Sequence, residues 1–387
     1  MSGHPIDLFE FCTSQFAWVR DTLEALVRLE SPSDDKDAVD RCGAELARRL
    51  IDAGADVARL PQTTSGDHVR AEWHAGDDSA SANQRRPILL LGHFDTVWPT
   101  GTIDRMPLRE RDGRLHGPGV FDMKGGIAVS MLAMRALRDL RAGPPHVVML
   151  WTADEEVGSR TSRRLLEDEA RRSSAVLVLE PSLPGGAAKT SRKGVGEFEI
   201  VVHGLAAHAG LDPGKGASAI HELARQILTL EALQDPERGV TVNVGVVAGG
   251  SRPNVIADRA SARVDVRVQT MADAARVEAA VRALRPSRGS IRLEVSGGVD
   301  RPPLERSSDV IRLYQQARQA AAALGRELGE GGAGGGSDGN FTGALGVPTL
   351  DGLGPQGDGA HAAHEHVVLD DLPWRAAFLA ALIQSLG

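Results

Sequence analysis

Three short apolar runs most constrain what this chain can fold into: RPILLLGHFD (86–95), HVVMLWTAD (146–154) and AVLVLEP (175–181). Each is short, rich in Val and Leu, and apolar without alternation, so as a strand it has to be covered on both faces. Between them lie the helical patterns GGIAVSMLAMRALRDLR (125–141) and SRTSRRLLEDEARR (159–172). Buried strands alternating with helices predict an α/β layer structure, a sheet flanked by helices. Upstream, helical periodicity fits residues 7–30 and 37–53, the second ending at Gly54, and 77–86 reads as a polar surface loop.

After Pro184 the pattern changes. GVGEFEIVVHG, GVTVNVGVVAGG, ASARVDVRVQT and SIRLEVSGG have the period of half-buried strands, and two helical patterns accompany them. Four strands and two helices predict a compact α+β unit over residues 191–299. Residues 300–387 return to the first style, with a helix at 307–324 and a closing helix. The simplest topology is a small domain inserted into a larger α/β domain, which occupies 1–190 and 300–387. Composition alone allows GEGGAGGGSDGN (329–340) to be a flexible linker, but at the level of the fold a backbone-lined substrate loop is the better reading.

The apolar runs end in potential ligands: His93 and Asp95, then Glu155 and Glu156, then Glu180, with Asp122 presented by GPGVFDMKGG. In an open α/β sheet such strand ends converge. Imidazole and carboxylate without thiolate suit Zn²⁺, with Co²⁺ or Mn²⁺ as substitutes. The chain has only Cys12 and Cys42, so neither a thiolate cluster nor a disulfide framework is available. His93, Asp122, Glu156, Glu180 and a later His are too many ligands for one open catalytic site. They fit two ions sharing a carboxylate. His93 and Asp95, two apart, share a face on a regular strand, which suits a carboxylate orienting its neighbour's imidazole. A net charge of −8 argues against nucleic acid as a partner. Neither a signal peptide nor an apolar stretch of membrane-spanning length is found, so a cytoplasmic protein is expected.

In order and spacing, GHFDTV, GPGVFDMKGG, TADEEVGS, LEPS, HGLAAHAG, GGGSDG and GAHAAHEHV resemble the metallopeptidase family that contains bacterial glutamate carboxypeptidases, succinyl-diaminopimelate desuccinylase and aminoacylase. The resemblance spans nearly the whole chain and is strongest to the carboxypeptidase G type. It implies a zinc-exopeptidase-like catalytic domain with an inserted lid and dimerisation domain, and two Zn²⁺ per chain. One ion would be held by His93, Asp122 and Glu180, the other by Asp122, Glu156 and His361. Asp95 matches the residue that orients the first His. Glu155 matches the general base toward the attacking water, so two adjacent acids divide metal binding from proton transfer. His208 matches a residue that reaches across a dimer to the scissile carbonyl. Asn254 and Arg267 match positions that bind the substrate carboxylate, and Gly335 and Gly336 lie in the substrate loop. The bond between Asp122 and Met123 is expected to be cis. The implied substrate is a small peptide or N-acyl amino acid with a free carboxylate.

Two positions depart from the family pattern. His366 replaces the usual Tyr, and His116 replaces an aromatic residue before the bridging Asp. His364 competes with His361 as a ligand. His4, His68, His74, His146, His203 and His221 carry no ligand spacing. A nucleotide-binding module is the rival from another class, but GPGVFDMKGG lacks the G-x-x-x-x-G-K-[ST] that cradles phosphate.

Overall fold

The computed structural model describes residues 5–74, 86–140, 142 and 145–387. The chain divides into two compact units, one of residues 1–191, 306–333 and 337–387, the other of Arg192–Glu305 with Gly334–Gly336.

The first unit opens with α1 (Pro5–Ser14), α2 (Phe16–Arg28) and α3 (Lys36–Asp52). The single helix expected over 7–30 is interrupted at Gln15. There the hydroxyls of Thr13 and Ser14 take the carbonyls of Phe9 and Phe11 at 2.8 and 2.7 Å, competing with helix amides. Strands β1 (Asp56–Leu60), β2 (His68–Trp73) and β3 (Ile88–His93) follow. Apart from Arg86, the expected polar loop 77–86 lies outside the described residues. Next come α4 (Thr102–Arg105), β4 (Arg109–Arg111), β5 (Arg114–His116) and α5 (Gly125–Asp139). The segment closes with β6 (Val147–Thr152), α6 (Arg163–Arg172), β7 (Ala175–Val178) and β8 (Ala188–Arg192).

The second unit contains β9 (Gly194–His203), α7 (Ala219–Glu231), β10 (Thr241–Gly249), β11 (Arg259–Val268), α8 (Met271–Arg282) and β12 (Arg292–Arg301). Its sheet is antiparallel, in the order β10-β11-β9-β12. Alternation puts Phe198, Ile200, Val202, Val264 and Val266 on one face, where they pack with Leu223 and Leu230 of α7 and Val277 and Val281 of α8. Both helices start on side-chain caps: the Ser218 hydroxyl accepts from the His221 amide and the Thr270 hydroxyl from the Asp273 amide.

The chain returns to the first unit with α9 (Ser308–Ala323), β13 (Glu330–Ala333), α10 (Gly339–Ala344), β14 (Thr349–Leu350), β15 (Gly357–Asp358), β16 (His366–Val368) and α11 (Asp371–Leu386). Its main sheet runs β1-β2-β6-β3-β7-β14. Strands β6, β3, β7 and β14 are parallel, while β2 and β1 add an antiparallel edge. Every residue of β3, β6 and β7 is buried, as their unbroken apolar sequences require. Helix α5 packs against α11 and is buried almost all round. Gly126 permits the start of α5 to press on the end of β7, where a Cβ would come 2.0 Å from the Leu179 carbonyl oxygen. A second, four-stranded sheet in this unit has the order β15-β16-β5-β4. Among the described residues no helix is long and apolar enough to cross a membrane.

Candidate metal centre and active site

Because β6, β3 and β7 are adjacent and parallel, their carboxyl ends share one edge of the sheet. His93 ends β3, Glu155 and Glu156 form a 3₁₀ turn just past β6, and Glu180 lies two residues past β7. Asp122 comes from the turn before α5, and its peptide bond to Met123 is cis. His361 sits between β15 and β16 with φ +60°.

These side chains form two triads that share Asp122: His93, Asp122 and Glu180, and Asp122, Glu156 and His361. His93 Nε2 lies 3.4 Å from Asp122 Oδ1 and 3.5 Å from Glu180 Oε1. His361 Nε2 lies 3.4 Å from Asp122 Oδ2 and 3.1 Å from Glu156 Oε1. Each oxygen of Asp122 therefore faces a different imidazole. Ligand bonds of about 2.0–2.1 Å put the corners of a tetrahedral zinc site about 3.3–3.4 Å apart, so these spacings and this N/O donor set fit a divalent ion in each triad. Glu155 belongs to neither triad.

The charge state follows from the crowding. Burial alone would lower the His93 pKa, but Asp122, Asp95 and Glu180 outweigh it and hold the ring well above its usual value. Asp122 and Glu156 raise His361 to about 10. Burial would raise Asp122, but the two imidazoles hold it well below the ordinary carboxylate range. Glu156 is shifted upward by burial, only partly offset by His361.

Asp95 is wholly buried and does more than face an imidazole. His93 Nδ1 is 3.0 Å from the Asp95 main-chain carbonyl and 3.3 Å from Oδ1, so the shorter contact is to the backbone. A proton on Nδ1 leaves the Nε2 lone pair for a metal. The Asp95 carboxylate accepts from the amides of Glu155 and Glu156, both at 3.2 Å, and from Ser33 Oγ at 2.7 Å. Glu365 holds the Asp122 turn from the other side. Its carboxylate accepts from the amides of Gly119, Phe121 and Asp122 at 3.0–3.1 Å and from Trp98 Nε1 at 2.8 Å. Glu365 lies within GAHAAHEHV and Trp98 directly follows GHFDTV, yet nothing in either run marks a carboxylate that holds the Asp122 turn, and Ser33 lies outside every such motif.

His364 lies outside both triads, with Nε2 3.8 Å from Asp358 Oδ2. The two departures from the family pattern meet: His116 of β5 pairs with His366 of β16, ring centroids 5.0 Å apart.

The other candidates lie in the second unit. Exposed His208 accepts at Nδ1 from the amides of Gly210 and Leu211, at 3.1 and 3.0 Å, which assigns its proton to Nε2. Asn254 is exposed on the facing segment, where its carbonyl accepts from the Ala209 amide. Arg267 on β11 forks onto Asp265, with contacts of 2.9–3.2 Å. The carbonyls of Gly335 and Gly336 accept from Arg192.

Paired N/O donor triads at the carboxyl edge of a mixed α/β sheet are a donor set for two divalent ions, the kind of site that metal-dependent hydrolases use. The chain belongs to peptidase family M20/M25/M40, whose model matches residues 89–385. It is 28% identical over 393 residues to carboxypeptidase G2 of Pseudomonas sp. (strain RS-16), covering 98% of this chain and 92% of that protein. It is 29% identical over 392 residues to succinyl-diaminopimelate desuccinylase of Stenotrophomonas maltophilia (strain K279a), covering 94% and 98%. The crystal structure of aminopeptidase PepT from Bacillus cereus shares the fold, with a TM-score of 0.80 at 22% identity over 96% of this chain and 98% of that one.

Proposed function

We propose that this enzyme is a two-zinc amidohydrolase of the glutamate carboxypeptidase kind, cleaving an amide next to a free carboxylate and releasing a C-terminal amino acid. The observation that carries the reading is Asp122, with one oxygen toward His93 and the other toward His361. Zinc bound by His93, Asp122 and Glu180, and by Asp122, Glu156 and His361, would supply Lewis acidity and a more acidic water. Glu155 takes the proton of the attacking water and delivers it to the leaving nitrogen. Asp95 fixes the His93 tautomer and the backbone that carries both acids.

His208 of the partner subunit donates its Nε2 proton to the developing oxyanion, a role supported by the hydrogen bonds that hold its Nδ1 as an acceptor. Asn254 and Arg267 receive the substrate carboxylate. For Arg267 this means exchanging Asp265 for the substrate, since its planar fork serves one carboxylate at a time. Gly335 and Gly336 line the substrate with backbone. The assembly is a cytoplasmic homodimer that acts on small peptides or N-acyl amino acids.

The second reading is an N-acyl amino acid deacylase, which likeness to the desuccinylase favours, or a dipeptidase with the same metal site. Pocket shape, more than metal chemistry, separates the two. Turnover of peptides with C-terminal glutamate, N-acetyl and N-succinyl amino acids and free dipeptides decides between them. Chelation should abolish activity, Zn²⁺ or Co²⁺ should restore it, and Asp122→Asn should lose both ions together. Full activity with one ion per chain would overturn the bridging role.

A further inference from the structure

A third group of ligand atoms lies at the other end of β6. Glu72, His74 and His146 each bring one donor atom within 4.8 Å of the others. Strands β2 and β6 pair antiparallel with Trp73 opposite Val147. Continuing that register sets His74 opposite His146, and their ring centroids are 5.6 Å apart. Glu72 and His74, two apart at the end of one strand, reach the same side. His146 Nε2 and Glu72 Oε1 share a hydrogen bond of 2.6 Å, and His74 Nδ1 is 4.0 Å from the same oxygen, so an ion would replace that hydrogen bond and bring the three donors to an even spacing of about 3.3 Å. The catalytic acids follow the far end of β6, about 17 Å along the strand at about 3.3 Å per residue.

Partners outside the triad also suit ligation. The remaining nitrogen of His74, Nε2, is 3.2 Å from Asp56 Oδ2, on the strand whose Asp56 pairs with Glu72. Carboxylates behind a ligating imidazole fix its tautomer and raise its basicity. Glu72 Oε2 accepts from Arg70 Nη1 at 2.7 Å, leaving Oε1 toward the two rings. Both strands hold this geometry through ladder hydrogen bonds, so the ligands are brought together by the sheet itself.

We propose that Glu72, His74 and His146 form a metal site distinct from the catalytic centre, for a borderline divalent ion such as Zn²⁺ or Cu²⁺. Two imidazoles and a carboxylate are the donors such ions prefer, and Cu²⁺ binds this set tightest. The ion joins the end of β2 to the start of β6, and by binding the folded chain it raises thermal stability.

Chelator-stripped protein and the double variant His74→Ala/His146→Ala are each equilibrated with ZnCl₂ and their zinc counted by mass spectrometry. The wild type should exceed the variant by one Zn²⁺ per chain, whatever number the catalytic centre takes, while activity stays equal. Equal zinc in the two proteins would overturn the site. If the double variant does not fold by circular dichroism, His74→Gln, at a side chain 56% exposed, makes the same comparison. As a second reading, Cu²⁺ added after the catalytic sites are filled with zinc should show coupling to two imidazole nitrogens. That signal should vanish in the variant, and its persistence there would also refute the assignment.

Discussion

Replacing Glu365 by Gln tests whether the Asp122 turn depends on one buried carboxylate. Oε1 accepts from the amides of Phe121 and Asp122, and Oε2 from Gly119 and Trp98. A glutamine keeps one oxygen and turns its amide NH₂, a donor, toward the other pair of donors, so at least two hydrogen bonds are lost. Hydrogen bonds to a charged group contribute about 1.5–3 kcal/mol each, giving a gross loss of about 3–6 kcal/mol. The loss is discounted because burial raises the Glu365 pKa: the ionised group carries a desolvation cost that the neutral amide escapes. A net destabilisation of about 2–4 kcal/mol remains. Urea denaturation of the metal-free proteins measures it, and a competitive zinc titration measures the second effect. Loosening the partners behind a metal ligand typically costs about 10–100-fold in affinity. If Glu365→Gln kept the wild-type midpoint and bound zinc within about twofold of wild type, the proposed dependence would be wrong.

Three further outcomes follow from the same geometry. Glu155→Gln should keep its metals yet lose at least about 10²-fold in kcat, whereas Glu156→Gln should lose metal; equal metal loss in both would contradict the division of labour. His208→Ala mixed with Glu155→Gln should regain activity, because one hybrid site then has both groups, and exchanged dimers as inactive as their parents would sink the cross-subunit role. Burial pushes the Cys12 thiol up to about 12, so native protein should resist a thiol reagent that finds two cysteines after denaturation. Since the folded thiol holds its proton to higher pH, this contribution to stability is complete below about 8.5 and fades as pH rises towards about 12. Rapid native labelling of Cys12 would refute its burial.

The elements were legible where burial leaves a plain pattern. ILLLGH, VVMLWT and AVLV have no polar face, and each is buried throughout. The alternating β11 is likewise readable, ARVDVRV placing Val264, Val266 and Val268 inward. The break at Gln15 was not, because hydroxyls competing for carbonyls leave the apolar period intact. Among the site residues, candidate ligands at strand ends announce themselves by type and place. Ser33, Trp98 and Glu365 do not, since what they do depends on contacts across 62, 267 and about 245 residues. His74 and His146 are similarly silent in sequence, being joined only by the β2–β6 register.

How two neighbouring acids acquire different aims is a backbone matter. A continued strand would send Glu155 and Glu156 to opposite faces, and a helix would splay them around its surface. Here β6 ends at Thr152 and the pair enters a 3₁₀ turn whose amides are both held by one buried carboxylate, Asp95. That carboxylate also faces His93, so one residue contacts the imidazole and anchors the backbone of the two acids as well. Glu156 is thereby turned to His361, while Glu155 is left outside both ligand sets. Asp95→Asn exposes this double duty. It replaces one acceptor with a donor facing an amide, so it should disturb both acids even where the His93 contact to the backbone carbonyl survives. Zinc affinity and kcat should then fall together in Asp95→Asn, whereas Glu155→Gln lowers kcat alone. An Asp95→Asn enzyme that lost only zinc affinity, with normal kcat once saturated, would confine Asp95 to orienting the imidazole.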